Sequence, residues 1–587
     1  MTRGLGYVLV LILLCQSSLA IAEKVYRHSF SATPRTLDPT AYADLYADKL
    51  AGQVYDSLYD FRYLKMPAEL KPRLAETLPK ISSDGLRLLI PIKRGVFFAD
   101  DPCFPNGVGR EVLAEDFVFS LKRHFDPKTM SANKWFWVNK IVGLDEWGES
   151  GADYSKLVPG LRAVDCYTIQ VLLKRPYSQF VHTLAMATSA VIPREAVARY
   201  GQEISIHPVG SGAWKLLSFD NSKAVFVKNP RFREEFFDPL AEGYDENLHG
   251  FTGIKKLAGK KVPIVDRVEV SFVEQETARW NSFTKGSEIQ FATVPTLEFA
   301  QIVKSAEPLT LHKVFANQYI GSKNLEPAYV YFGFNMQDPD IGTHKDPERN
   351  AQNRALRCAI RKAFNWKQLI ERIHYGLGEP FPGIVPPNIQ GFDSTLSKDS
   401  ITLDIDGARK LLQQSGWTAA RLPILRFSGV SSIRNKQIYE MFKAWMIKIG
   451  YPAHKIKFEI SAQFGDYVKA LREGKLMTFS LFWSFDYPDA QNSFQLYYGP
   501  NISPGSNTAN YQNPDYDQLY EQTVTLMPGP ERQAIYRKLT KILIDDCVVV
   551  AGFVRTHLYL WHKNVIMHPT EYLHGDYFKF IDVEAQQ

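Results

Sequence analysis

The chain has little that would commit it to chemistry, to nucleic acid or to a bilayer. Its charges nearly balance, 69 Lys and Arg against 63 Asp and Glu in 587 residues, a formal +6. No block of Lys and Arg interleaved with aromatics marks a nucleic-acid groove. After the N-terminus no stretch reaches the ~18 consecutive apolar residues of a membrane helix. Cysteines number five, and none falls in a Cys-x-x-Cys or a His-containing zinc pattern. There is no Gly-x-Ser-x-Gly elbow, Walker sequence or His-Glu-x-x-His. The residues therefore call for no catalytic group, cofactor or metal.

What is present is globular: 45% hydrophobic and 22% charged residues, in a chain too long for one ordinary core, so more than one domain is expected. The aromatic share of 13% suits a large apolar-walled cavity and a large plain core equally. Residues 1–22 carry Arg3, an apolar run from Leu5 to about Cys15, and an ending Ala20-Ile21-Ala22. This is the pattern of a secretory signal cleaved before Glu23, and it predicts a periplasmic protein. Leu14 precedes Cys15 where a lipobox wants a small residue, so a free protein is favoured over a lipid-anchored one. Cleavage leaves Cys103, Cys166, Cys358 and Cys547, with three pairings open. Cys358 lies in a helical pattern and reads as a buried thiol.

The stretch that organises the chain is 476–489. Met477, Phe479, Leu481, Trp483 and Phe485 alternate with Thr478, Ser480 and Ser484, the period-2 pattern of a strand with one buried face. The apolar run stops at Asp486, and Pro488 ends the ladder. A carboxylate between Phe485 and Tyr487 needs a partner. Either it meets the ammonium of a ligand in a cleft, or it caps a helix or pairs with a nearby Lys or Arg.

Trp483-Ser484-Phe485-Asp486-Tyr487-Pro488-Asp489 resembles the Trp-x-x-Asp-Tyr-x-Asp segment of the extracellular solute-binding proteins of family 5, the peptide-binding components of ABC importers. Leu37-Asp38-Pro39, Leu74-Ala75-Glu76, Asp84-Gly85, Ala114-Glu115-Asp116, Asn229-Pro230, Gly333-Phe334-Asn335 and Asn513-Pro514 follow in the family's order. The resemblance runs from about Leu37 to about Phe553. It implies an α/β fold, a two-lobed periplasmic binding protein of class II-like, cluster C type, with mixed sheets flanked by helices and an extra small domain. The first domain would take 23–65, 191–328 and 489–587, the small second domain 66–190 and the third 329–488, with crossings near Tyr329–Met336 and Asp486–Ser493. Cys103 and Cys166 fall in one such domain and are the favoured pair.

The resemblance also implies that Asp486 pairs with the ligand's ammonium, with Trp483 as an aromatic wall and Tyr487 beside them. One tension is visible: in a regular strand Trp483 and Asp486 point to opposite faces. The expected ligand is a short peptide. Nickel complexes, haem, opines and oligosaccharides remain open, as the family includes receptors for each. The expected partners are an inner-membrane permease and its ATPase, the receptor is expected to be a monomer, and no enzyme activity is expected. The alternative from another class is a secreted hydrolase using Asp486 with Asp489. Mass spectrometry of the mature protein should find Glu23 at its N-terminus; a diacylated Cys15 would overturn the free form.

Overall fold

The computed structural model describes residues 23–42, 44–285, 288–306, 308–570 and 577–585; the expected signal segment lies outside them. Among the described residues no helix is long and apolar enough to cross a membrane. The first lobe begins with a four-stranded sheet in the order Val25–Phe30, Arg267–Phe272, Lys223–Lys228, Trp214–Phe219. Its first pair is parallel. Tyr26, Phe226, Val268 and Trp561 are buried beneath it. The small domain is an antiparallel sheet of Lys80–Ile81, Arg87–Pro91, Thr168–Leu172 and Leu161–Asp165. Ile90, Ile169 and Val171 of that sheet share a core with Phe117 and Leu121 of the helix Ala114–Arg123. That helix sends Arg123 to Asp38 in a bidentate pair of 3.0 and 2.8 Å. Asp38, read from the sequence as a turn residue, also accepts the Thr40 N–H.

The second lobe has its own core. The stripe Leu356, Ala359, Ile360 and Ala363 of the helix Pro347–Ala363 is buried there with Phe442 and Trp445 of the helix Ile433–Lys448. Apolar residues at three- and four-residue spacing face one way on a helix, and here they face the strands Ala328–Phe334 and Thr478–Ser484.

Both lobes share one strand. Val549–His562 pairs through Phe553 with Val330 in the second lobe, and through Thr556 to His562 with the strand Tyr319–Leu325 in the first. The turn at Glu326 and Pro327, between Tyr319–Leu325 and Ala328–Phe334, crosses beside it. Two chain segments thus pass between the lobes side by side, and one carboxylate ties them. Glu326 accepts hydrogen bonds from Arg555 at 2.6 and 3.0 Å and pairs with His557 at 2.8 Å. Burial opposes its charge, but the bonds from His557 and Arg555 more than offset this and hold its carboxyl below the usual range.

Two expectations are corrected. The return to the first lobe is not at 489: Ala490, Phe494, Tyr516, Leu539 and Val549 pack in the same core as Tyr329 and Phe479. The helices Pro514–Thr525 and Pro530–Asp545 place apolar faces on that core, so the chain leaves it only along the shared strand. The disulfide is Cys358–Cys547, while Cys103 and the exposed Cys166 are free. Cys358 sits one position from Arg357, whose guanidinium reaches the Cys547 carbonyl at 3.2 Å, so that helix face meets the end of Pro530–Asp545. Sequence spacing carries no trace of a contact 189 residues apart.

Glu326→Gln removes the charge that binds the two crossings. Amide hydrogen exchange at residues 324–328 and 553–557 should quicken by about tenfold or more, the worth of a charge-assisted bond. Unaltered exchange would mean that strand pairing alone holds the crossing.

Candidate ligand-binding site

The strand Thr478–Ser484 runs antiparallel to Ala328–Phe334, with Trp483 opposite Tyr329 and Ser484 opposite Ala328. Its alternation is as the sequence suggested: Met477, Phe479 and Phe485 are buried, and Leu481 and Trp483 pack on the core. Pairing ends at Ser484. Phe485 then donates its N–H to the Pro327 carbonyl at 3.0 Å, beside the lobe crossing. Because the strand stops there, the opposition between Trp483 and Asp486 disappears. Asn492, 1% exposed on the short helix Gln491–Phe494, joins them. Its Oδ1 accepts the Trp483 Nε1–H at 3.0 Å, and its Nδ2 donates to Asp486 Oδ2 at 2.9 Å. One buried amide therefore orients both side chains.

Asp489, three residues on, has another fate. It is 1% exposed and accepts Arg532 at 2.9 and 3.0 Å, the Tyr536 hydroxyl at 2.7 Å and the Gln491 N–H at 2.9 Å. Its lone pairs are committed inside the protein. Asp486 and Asp489 do not face one cavity, which removes the geometric basis for a two-carboxylate hydrolase.

Tyr487 is buried as well. Its hydroxyl donates to Gln491 Oε1, and its ring stacks on His182 of the small domain with centroids 6.0 Å apart. Close by, the Ser178 N–H donates to the Val524 carbonyl at 3.0 Å. These contacts join the two lobes. Burial pushes the His182 imidazole down to about 4, against the opposing field of Asp489, so the ring is neutral at pH 7.

Asp486 lines a cavity of about 410 Å³ between the lobes. Ser484 and Asp486 form its second-lobe wall; Tyr42, Asp44, Asp48, Trp135, Phe136 and Thr188 are on the first-lobe side. Of the three residues singled out from the sequence, Asp486 alone is in this wall. Trp483 stands beside it through Asn492, and Tyr487 belongs to the lobe contact. The first-lobe residues were not legible as site residues. Asp44 caps the helix Leu45–Val54 and reads as a cap, and nothing in sequence aims that helix at 484–486. Other cavities lie at Lys140, Arg175, Tyr177 and Tyr520, about 540 Å³, and within the first lobe at His28, Lys49 and Arg279, about 230 Å³.

The two carboxylates should separate by mutation. Asp489→Asn leaves the Arg532 charge buried without its counter-ion, a loss of about 3–5 kcal/mol, and should clearly lower the midpoint of denaturant unfolding. Asp486→Asn, in a partly buried position at the cavity wall, keeps an oxygen for Asn492 and should lower that midpoint by much less. Equal losses in the two variants would contradict this division of roles.

Comparison with known proteins agrees with this architecture. The model of the bacterial extracellular solute-binding proteins, family 5 Middle, matches residues 69–505. The chain is 24% identical over 502 residues to heme-binding protein A of Haemophilus influenzae, covering 84% of this chain and 80% of that one. It is 22% identical over 506 residues to the dipeptide-binding protein of Escherichia coli K12, covering 84% and 82%. Among solved structures, HbpA2 from Haemophilus parasuis superposes with a TM-score of 0.74 at 18% identity, over 96% of this chain and 100% of that one. The fold is that of the two-lobed binding proteins, and with the family model matching most of its length, this chain belongs to the bacterial extracellular solute-binding proteins of family 5.

Proposed function

We propose that the protein is the periplasmic receptor of an ABC importer, that it encloses a short peptide between its lobes, and that Asp486 pairs with the peptide's N-terminal ammonium. The observation that carries this reading is the position of Asp486: just past the end of a sheet strand, in the wall of the cavity between the lobes, with Asn492 fixing its carboxylate. Ends of sheet strands at a cleft are common ligand positions, because loops there are free of ladder pairing. Trp483 acts through the same amide as a positioning residue. Tyr487 serves lobe contact, and through its neighbour Asp486 links ligand capture to closure.

The cavity's chemistry bears on the ligand. Carboxylates at Asp44, Asp48 and Asp486 favour a cationic group and disfavour an anionic one such as a haem propionate. One relative of similar identity bears the name of a dipeptide-binding protein, which agrees with a cationic, extended ligand. Hinge motion at the Glu326 crossing closes the lobes. Ligand drives closure only as far as it binds the closed form more tightly, and exclusion of water strengthens the ion pair at Asp486 as the lobes meet. The closed, loaded form then docks onto a membrane permease driven by an ATPase and releases its ligand there, and the pattern of residues 1–22 supports export.

Isothermal titration with Ala-Ala-Ala tests this. Asp486→Asn should weaken binding by about 1–3 kcal/mol, roughly five- to 150-fold, and N-acetylation of the peptide should weaken binding to the unmodified protein similarly. Unchanged affinity in the variant, or turnover of the peptide, rejects the reading.

A further inference from the structure

We propose that the cavity walled by Lys140, Arg175 and Tyr177 of the small domain and by Tyr498 and Tyr520 of the second lobe is a second binding site, for a small organic carboxylate with a flat apolar body. It shares no lining residue with the cavity at Asp486, and it stands whatever that cavity holds.

Local pairing of the chain brings the two cations together. The Lys174 N–H donates to the Lys140 carbonyl at 2.8 Å, beside the antiparallel bridge of Ile141 and Leu173. Successive residues of an extended segment point to opposite sides. Lys174 takes one side and pairs with Asp145 at 3.2 Å and Glu146 at 3.1 Å. Arg175 takes the other, exposed at the cavity, and among the described residues its guanidinium has no hydrogen bond, ion pair or ring contact. Lys140 Nζ donates to the Phe136 carbonyl at 2.6 Å and stands 5.2 Å from the centre of the Tyr177 ring. It too has no carboxylate within ion-pairing distance among the described residues. Burial and the neighbouring Arg175 push its ammonium down to about 8, so both side chains are charged at pH 7. Two such charges side by side repel each other, and an anion in the cavity turns the repulsion into attraction for both.

Basic residues at a surface are usually solvated and no more; here the opposite wall sets them apart. The Tyr498 and Tyr520 rings lie with centroids 4.6 Å apart. Tyr520 is 6% exposed, and its hydroxyl accepts Gln491 Nε2, which leaves the tyrosine proton to be donated. Glu521, the acid of this lining, is engaged by the Tyr498 hydroxyl at 2.6 Å, and the lining keeps a net positive charge. The cavity measures about 540 Å³, ample for a small molecule. Arg175 offers a carboxylate its planar fork and Lys140 a further donor, while the tyrosine rings and Val524 cover a flat apolar body. The same charges disfavour an organic cation.

Occupancy also bears on the lobes. Val524 lines the cavity and accepts the Ser178 N–H, next to Tyr177. A ligand touching both walls binds most tightly when that contact is made, so it favours the arrangement in which the small domain meets the second lobe.

The test uses sodium benzoate, with benzamide as its uncharged counterpart, on the full mature protein at low salt. Ligand-observed NMR titration should give saturable benzoate binding with a Kd of about 1 mM or tighter, as expected for so few atoms, and benzamide should bind about tenfold more weakly. Arg175→Gln and Lys140→Gln should each weaken benzoate by about tenfold, and Arg175→Gln should leave the affinity for Ala-Ala-Ala within about twofold. Saturating benzoate should slow hydrogen exchange at the Ser178 amide by about threefold or more. Absence of saturable benzoate binding, equal binding of benzamide, or benzoate affinity undiminished in both variants overturns the proposal. Displacement of benzoate by Ala-Ala-Ala overturns the separate site while Asp486 keeps its role. Benzoate binding as described, with no binding of Ala-Ala-Ala, upholds this site and overturns the reading of Asp486.

Discussion

The strand Val549–His562 belongs to the sheets of both lobes, and the cleft is where it is because of that sharing. A strand in two sheets must satisfy its backbone groups with one set of partners along its first half and another along its second. Here the partners change from Ala328–Phe334 to Tyr319–Leu325 at the turn around Glu326 and Pro327. The lobes are therefore joined at one narrow place by two antiparallel crossings. Glu326 bonds to both Arg555 and His557 there, so the narrowest part of the molecule carries a charge-assisted tie. Everything that binds in the cleft works against, or with, the bending of this place.

The turn that follows Thr478–Ser484 sits next to that crossing and divides its residues among three tasks. Asp489 turns inward and, with Arg532 and Tyr536, anchors the turn to the helix Pro530–Asp545. Tyr487 packs across to His182 in the other lobe. Asp486 is left at the cavity, held by Asn492. A buried ion pair is a weak source of net stability, because desolvation takes back most of the Coulomb gain, but it fixes geometry. The acid that is buried and fully bonded is what lets the neighbouring acid stand at the cleft in a set orientation.

Much of this turn was visible in the sequence. The alternation of 477–485 made a half-buried strand legible, and Pro488 marked its end. Asp486 stood out as a carboxylate flanked by aromatic residues. The difference between Asp486 and Asp489 was not visible, since both are acids on one turn and only Arg532, 43 residues on, distinguishes them. Tyr487 looked like part of the same site because it is adjacent in sequence, yet adjacent residues on a turn point in different directions. Helical stripes such as Leu356, Ala359, Ile360 and Ala363 were legible for the opposite reason: a periodic apolar face must be covered by something, whatever covers it.

The sequence by itself determined the local elements, the apolar faces, the turn at Asp486 and, through the order of its motifs, the family and the two-lobed plan. These depend on residues a few positions apart, where propensity and periodicity act. Tertiary structure alone decided the return crossing at Arg555 rather than 489, the bond between Cys358 and Cys547, and the meeting of Asp44, Asp48 and Asp486 around one cavity. Each of those joins segments far apart in the chain. Their encounter is fixed by how whole cores pack and where a shared strand changes partners, and no local pattern of residues records it.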